Sequence, residues 1–355
     1  MPRSSKKKLP TRSERFVAAI KKPFTAIKSY SVGLMNRRPH RSFKLTKRRD
    51  YRRSLKLPGY ISFTKTVTKT LWQHRRIFVW LAVVYALMTI VLVGIGSQET
   101  YSTLIATIQD AGAEVFQGNM SELGTAALAF FSIGASGLIG TPTEAQQLYI
   151  LVLGLLVWLT TVWLLRNVLA GHKVKMRDGL YNAGAPIVAT LLVFVVMVIQ
   201  LIPLGIAIVG YSTAASTGLL NGGVEAMLFW VAAALLTVMS LYWITSTFFA
   251  LIIVTLPGMY PRAALKTAGD MMVGRRLRIL LRLAWMAGAL AVTGAIVLIP
   301  IILLTNLLAG VWSVVGTIPI VPVALMVYSV AGFIWAASYV YLLYRKVIDD
   351  DAKPA

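Results

Sequence analysis

Side chains that commonly do chemistry are scarce in this 355-residue chain, and those present are not spaced to cooperate. There is no cysteine, so no thiolate nucleophile, Cys-ligated metal or disulfide can form. The three histidines, His40, His74 and His172, all lie in basic segments, none four residues from another and none beside a carboxylate pair. They read as solvated or lipid-facing side chains rather than metal ligands. Neither a G-x-x-x-x-G-K-[ST] phosphate loop nor a G-x-G-x-x-G fingerprint occurs; Gly134, Gly137 and Gly140 have the wrong spacing and context. The nucleophile elbow G-x-S-x-G is missing too. Glu99, Asp110, Glu114, Glu122 and Glu144 could touch cations, but without metal-ligand spacing they read as a solvated face. Asn119-Met120-Ser121 fits a glycosylation sequon. No catalytic, cofactor or metal site is expected.

Two polar side chains fall inside strongly apolar stretches, Gln200 and Asn306, near Pro203 and Pro300. Each proline stands in a Leu-Ile-Pro context, removes a backbone donor and should kink its helix. Two readings stand for Gln200 and Asn306: hydrogen bonds between helices beside kinked backbone, or the lining of a polar substrate pocket between two broken helices. Ionisable groups are essentially missing at such depth, the nearest being Glu225 and Arg166 at stretch ends. Ion-coupled transporters and pumps keep such groups within the membrane, so their absence argues against that chemistry.

The elements that must position these residues follow from composition. Apolar AVILMFWYC residues make up 57% of the chain and charged residues 14%, a membrane composition when soluble proteins carry about 25% charge. Stretches long enough to cross about 30 Å of hydrocarbon run at roughly Ile77 to Ile95, Leu148 to Leu165, Ala185 to Val209, Ala226 to Leu256, Leu283 to Ala309 and Ile320 to Leu343. The expected fold is all-α, a polytopic membrane protein of six transmembrane helices. Beyond residue 76 the 13 Lys and Arg fall into three clusters, Arg166 to Arg177, Arg262 to Arg282 and Arg345 to Lys353, while the alternate loops hold none. By the positive-inside rule both termini are cytoplasmic. A seventh crossing at 123–140 would put two of those clusters outside, so that stretch is expected to be a re-entrant or interfacial element within an outer segment, 97–145. Small-xxx-small pairs at Gly332 and Ala336, and at Ala284 and Gly288, predict close helix approach.

Residues 1–76 carry 23 Lys or Arg and two acids, Glu14 and Asp50, hence +21 of the +23 total. No apolar core of a cleaved signal occurs there, so the first span is expected to serve as an uncleaved anchor. The organisation is a basic, partly disordered cytoplasmic arm at 1–58, a six-span membrane domain at 59–346 and a short cytoplasmic tail at 347–355. Localisation is the cell (plasma) membrane, multi-pass, with an organellar inner membrane as the alternative. Phe16, Ile20, Phe24 and Ile27 recur at helical spacing in the arm, which suits an interfacial segment drawn to anionic headgroups. Arg37 to Arg53, with Phe43 and Tyr51, could instead meet nucleic acid or a ribosome.

A basic amphipathic elbow precedes each pair of spans. In the first, Tyr60, Phe63, Val67 and Leu71 share one face while Lys65, Lys69, Arg75 and Arg76 take others, the pattern of a helix in the headgroup plane. The second is Gly171 to Pro186; the third, Pro261 to Arg282, sets Leu265, Ala268 and Met272 beside Arg262, Lys266 and Arg276. Leu180-x-x-Ala183-Gly184 and Leu265-x-x-Ala268-Gly269 echo one another, giving three elbow-plus-hairpin units. Lipid-headgroup contacts are expected from Lys65, Lys69, Arg75, Arg76, Arg262, Lys266, Arg275 and Arg276.

The stretch from Phe248 to Trp285, with Ala264-Leu265 and Lys266 opening an elbow and Gly274-Arg275 before the next span, resembles the membrane domain of the glycerophosphoryl diester phosphodiesterase family. The likeness covers some 40 residues closely and, through the repeated layout, the chain from 77 on loosely. The catalytic domain that names this family is not part of the resemblance: His40-Arg41 is followed by Ser42 and His74-Arg75 by Arg76, where that enzyme needs His-Arg-Gly. The expected function is a non-enzymatic integral membrane protein that handles lipid, scaffolds, or accompanies a membrane complex or a second copy of itself. The alternative is a permease or flippase-like transporter.

Overall fold

The computed structural model describes residues 57–94, 143–220, 222–312 and 318–351. The basic arm, most of the outer segment including 123–140, and the last four residues lie outside the described residues. Nine helices account for the described structure, and no strand occurs among those residues. Six are long and apolar enough to cross a membrane.

The first unit is an elbow, α1 (Tyr60–Gln73), and a hairpin of α2 (Arg75–Leu92) and α3 (Glu144–Leu169). Only His74 separates α1 from α2, its Nδ1 3.1 Å from the Thr70 carbonyl. A capping box starts α3: Thr143 Oγ1 accepts from Gln146 N, and Thr143 N donates to Gln146 Oε1 at 2.9 Å. Gln146 Nε2 also donates to the Val93 carbonyl at 2.9 Å, pinning the start of α3 to the end of α2.

The second unit is α4 (Met176–Ala183), α5 (Ile187–Ser216) and α6 (Gly223–Ile253); the third is α7 (Pro261–Met271), α8 (Arg276–Val311) and α9 (Ile320–Asp351). The second unit's elbow α4 is only eight residues long, begun by the Asp178 carboxylate accepting from Lys175 N and stopped before Pro186. Pro261 opens α7 at its first turn, where a missing N–H costs nothing. The chain leaves α7 through Gly274 at φ +75°, a conformation in which a side chain would be strained, and enters α8 at once.

Every span runs past its apolar stretch at one end or both. α8 begins seven residues before Leu283 and takes in Arg276, Arg278 and Arg282. α9 continues through Arg345 and Lys346 to Asp351, so no helix end marks the expected tail boundary. α3 and α5 likewise reach past Leu165 and Val209. Helical hydrogen bonds continue wherever neighbouring helices offer packing, whatever the local hydropathy.

Each elbow lies on the hairpin of the preceding unit. α4 packs on α3 and touches α2; α7 packs on α6 and touches α5. The first elbow closes the cycle, since α1 packs on α9 of the third unit and reaches α8 through Trp285 Nε1, which donates to Thr64 Oγ1 at 3.1 Å. The repeat is visible in register. Gly179 and Ala183 are buried in α4, Ala264 and Ala268 in α7, Phe63 and Val67 in α1, each pair four residues apart.

The core forms where the second spans converge. Trp158 of α3 donates to the Leu251 carbonyl of α6 at 3.3 Å, Arg166 donates to the Thr255 carbonyl at 3.2 Å, and Phe249 meets Tyr344 of α9 edge-on at 5.7 Å. The buried side chains concentrate in the last half of α3, α6 and α9. Elsewhere α5, α8, the first half of α6 and one side of α2 leave rows of Val, Ile, Leu and Trp exposed, an apolar surface suited to lipid.

Candidate functional site

The polar groups along α5 and α6 at depth are paired with one another. Thr247 Oγ1 of α6 donates to Gln200 Oε1 of α5 at 2.5 Å. One turn on, Pro203 sits within a helix that continues through it, and the next amide, Leu204 N, donates to Ser240 Oγ at 3.1 Å. Ser240 and Thr247 are both buried and lie seven residues apart on α6, so they face α5 as a two-step polar seam. A proline in a membrane helix is tolerated when a neighbour repairs the backbone hydrogen bonding, and Ser240 does that here. Gln200 thus makes a hydrogen bond between helices. Pro300 also lies inside its helix, α8; Asn306 belongs to the same helix, and its side chain lies outside what is described.

The elbow end of the bundle holds the charge. Lys65, Lys69, Arg75 and Arg76 of α1 and α2 are exposed, as are Arg262 and Lys266 of α7. The apolar stripes beneath them differ from expectation. Phe63 and Val67 are covered by α8 and α9, with Phe63 edge-on to Tyr339 at 4.8 Å, and Ala268 and Met272 are fully buried. Protein rather than the acyl boundary covers these faces, so only the basic sides of the elbows are free to meet headgroups.

Arg275 and Arg276 are placed differently from the others. Arg275 is only 2% exposed. Arg276 lies over the Tyr242 ring at 3.9 Å and donates from Nη1 to the Tyr242 carbonyl at 2.9 Å, joining α8 to α6.

One arginine was not singled out by sequence reasoning. Arg282, 6% exposed, donates from Nη2 to the Pro58 carbonyl and lies 4.2 Å from the Tyr60 ring centroid and 5.9 Å from that of Phe63. Its Nη1 and the nearby hydroxyl of Tyr339 are both buried. Trp285 and Trp335 clamp α1 on the same side through Thr64 and Thr68. The residues just before α1 are thereby fixed to the third hairpin. A hint was available in the sequence: Tyr60 and Phe63 on one helical face offer a stacking surface for a cation.

One of the two small-residue pairs is corrected. Gly332 does face α8, where an added Cβ would lie 3.4 Å from Leu290. Ala284 and Gly288 are exposed, and a Cβ at Gly288 would meet nothing within 4 Å. The close approach of α8 and α9 is instead at Gly294, where a Cβ would fall 3.1 Å from Tyr328, whose hydroxyl bonds to the Leu290 carbonyl and Thr293.

No group of three or more His, Asp or Glu residues that could hold a metal ion occurs among the described residues. Fold and site define a six-span α-helical membrane protein built from three elbow-plus-hairpin units. No family model, curated protein or solved structure matches the chain.

Proposed function

We propose that this is a non-enzymatic integral membrane protein, both termini in the cytoplasm, that handles lipid or scaffolds a membrane complex through its basic elbow end and arm. The observation that carries this reading is the seam between α5 and α6. Gln200 and the amide beyond Pro203 are spent on Thr247 and Ser240, a filled interface where a transporter of polar solute would keep groups available. The basic clusters at the elbows support a cytoplasmic placement of that end. Membership in the glycerophosphodiesterase-type membrane domain family belongs to the same proposal and rests on the Phe248 to Trp285 stretch. Purification from native membranes in mild detergent, with lipids and proteins identified by mass spectrometry, tests it. Lipid or a partner protein recovered in stoichiometric amount is expected. Recovery of bare protein that carries a small solute into sealed vesicles would favour the permease reading instead.

A further inference from the structure

The corner between α1 and α2 differs from the rest of the elbow end. Residues 57–94 contain no Asp or Glu, so Lys65, Lys69, Arg75 and Arg76 have no local carboxylate to neutralise them. All four are exposed. At the corner itself Trp72 is 67% exposed, and the Arg75 guanidinium lies 5.3 Å from its ring centroid. The other elbows are mixed: Asp178 lies in α4 among Lys173, Lys175 and Arg177, and Asp270 in α7 beyond Arg262 and Lys266. An exposed indole beside cations with no carboxylate in their own segment, at the point where the chain turns into a span, suits the headgroup layer, where one end of the ring is apolar and the other wet.

We propose that this corner, Trp72 with Lys65, Lys69, Arg75 and Arg76, is a binding site for the phosphate of anionic phospholipid headgroups. Arginine offers a fork of donors matched to phosphate oxygens, and Arg75 is held in place by the indole it stacks on. The buried Phe63 and Val67 fix α1 to the third hairpin, so the cations are carried on a rigid element rather than a floppy segment. The charge pattern alone would also draw nucleic acid; the indole at the span entrance favours lipid. The proposal deepens the lipid-handling reading by naming the lipid class and the elbow that takes it.

The absence of native cysteine makes the test site-specific. Full-length protein carrying Gln73→Cys, labelled with an environment-sensitive fluorophore, is placed in nanodiscs of phosphatidylcholine with increasing phosphatidylglycerol. The probe should respond to phosphatidylglycerol, and added salt should weaken the response. Each cation held at the surface contributes about fivefold in affinity. The combined Lys65→Gln, Lys69→Gln, Arg75→Gln and Arg76→Gln variant should therefore bind at least roughly tenfold more weakly. Replacing both lysines by arginine should keep the response, and removing four charges from the arm should leave it largely intact. Equal responses to the two lipids, an unaffected quadruple variant, or tighter binding of structured RNA at equal ionic strength would overturn the proposal. Nanodiscs expose both faces, so failure here is independent of chain orientation and of what co-purifies from native membranes.

Discussion

Arg282 shows how much one side chain can hold in a chain with few charges at depth. It binds the Pro58 carbonyl and lies over Tyr60, contacts that join residues 224 positions apart. A hydrogen bond from a charged group contributes about 1.5–3 kcal/mol and a stacked cation about 1 more. Arg282→Ala should lower the detergent melting temperature, and limited proteolysis should then reach the chain just before α1; Arg282→Lys should rescue only part of either effect. A wild-type melting curve and cleavage pattern for the alanine variant would show that α1 is held by packing alone. Gly179 makes a second prediction. A Cβ there would fall 2.8 Å from Leu164 Cγ, and Leu164 is fully buried, so Gly179→Ala should cost about 1–3 kcal/mol in thermal unfolding. Gly288→Ala, with open space around it inside α8, should cost nothing and gain up to about 1 kcal/mol of helix propensity. Neither the burial of Arg282 nor that of Arg275 was legible from sequence. A count of charges near a span assigns them to the surface, and only distant partners such as Pro58 make the interior tolerable for a guanidinium.

Individual helices were more legible than the faces they bury. All six spans and the three elbows stand in the expected order, because runs of apolar residues and helical periodicity are local signals. Their ends moved by up to eight residues, as in α9, because hydropathy records which residues suit lipid and helices stop where packing and capping end. The elbow stripes were read correctly as apolar and incorrectly as facing lipid, since periodicity identifies a buried face without naming its cover. The echo of Ala183 and Ala268 did carry three-dimensional meaning: both are fully buried at matching points of their elbows. The seam between α5 and α6 gives a testable contrast. Ser240→Ala leaves the Leu204 amide without its acceptor beside Pro203 and should lower stability by about 1 kcal/mol. Pro203→Ala should offset much of that loss in the double variant, because without the proline ring the helix can straighten and the Leu204 amide can return to the Gln200 carbonyl. Additive effects of the two substitutions would mean that Ser240 does not serve the proline break.

At the scale of the whole molecule, three elbows each lie on the preceding hairpin, and the first elbow returns to the third. Such a cycle places every elbow at one end of the bundle, with the end of α5, the start of α6 and the end of α8 at the other. Charge follows the same division, since the elbow segments hold the basic clusters and the connection from α5 to α6 holds none. Single cysteines added to the cysteine-free chain can therefore test the account in intact cells with a membrane-impermeant thiol reagent. Gln73→Cys, His172→Cys and Arg262→Cys, one in each elbow region, should react only after the membrane is permeabilised, while Ser212→Cys should react at once. Labelling of any of the three elbow positions in intact cells, with Ser212→Cys protected, would contradict a cytoplasmic elbow end and with it the proposed arrangement of the protein in its membrane.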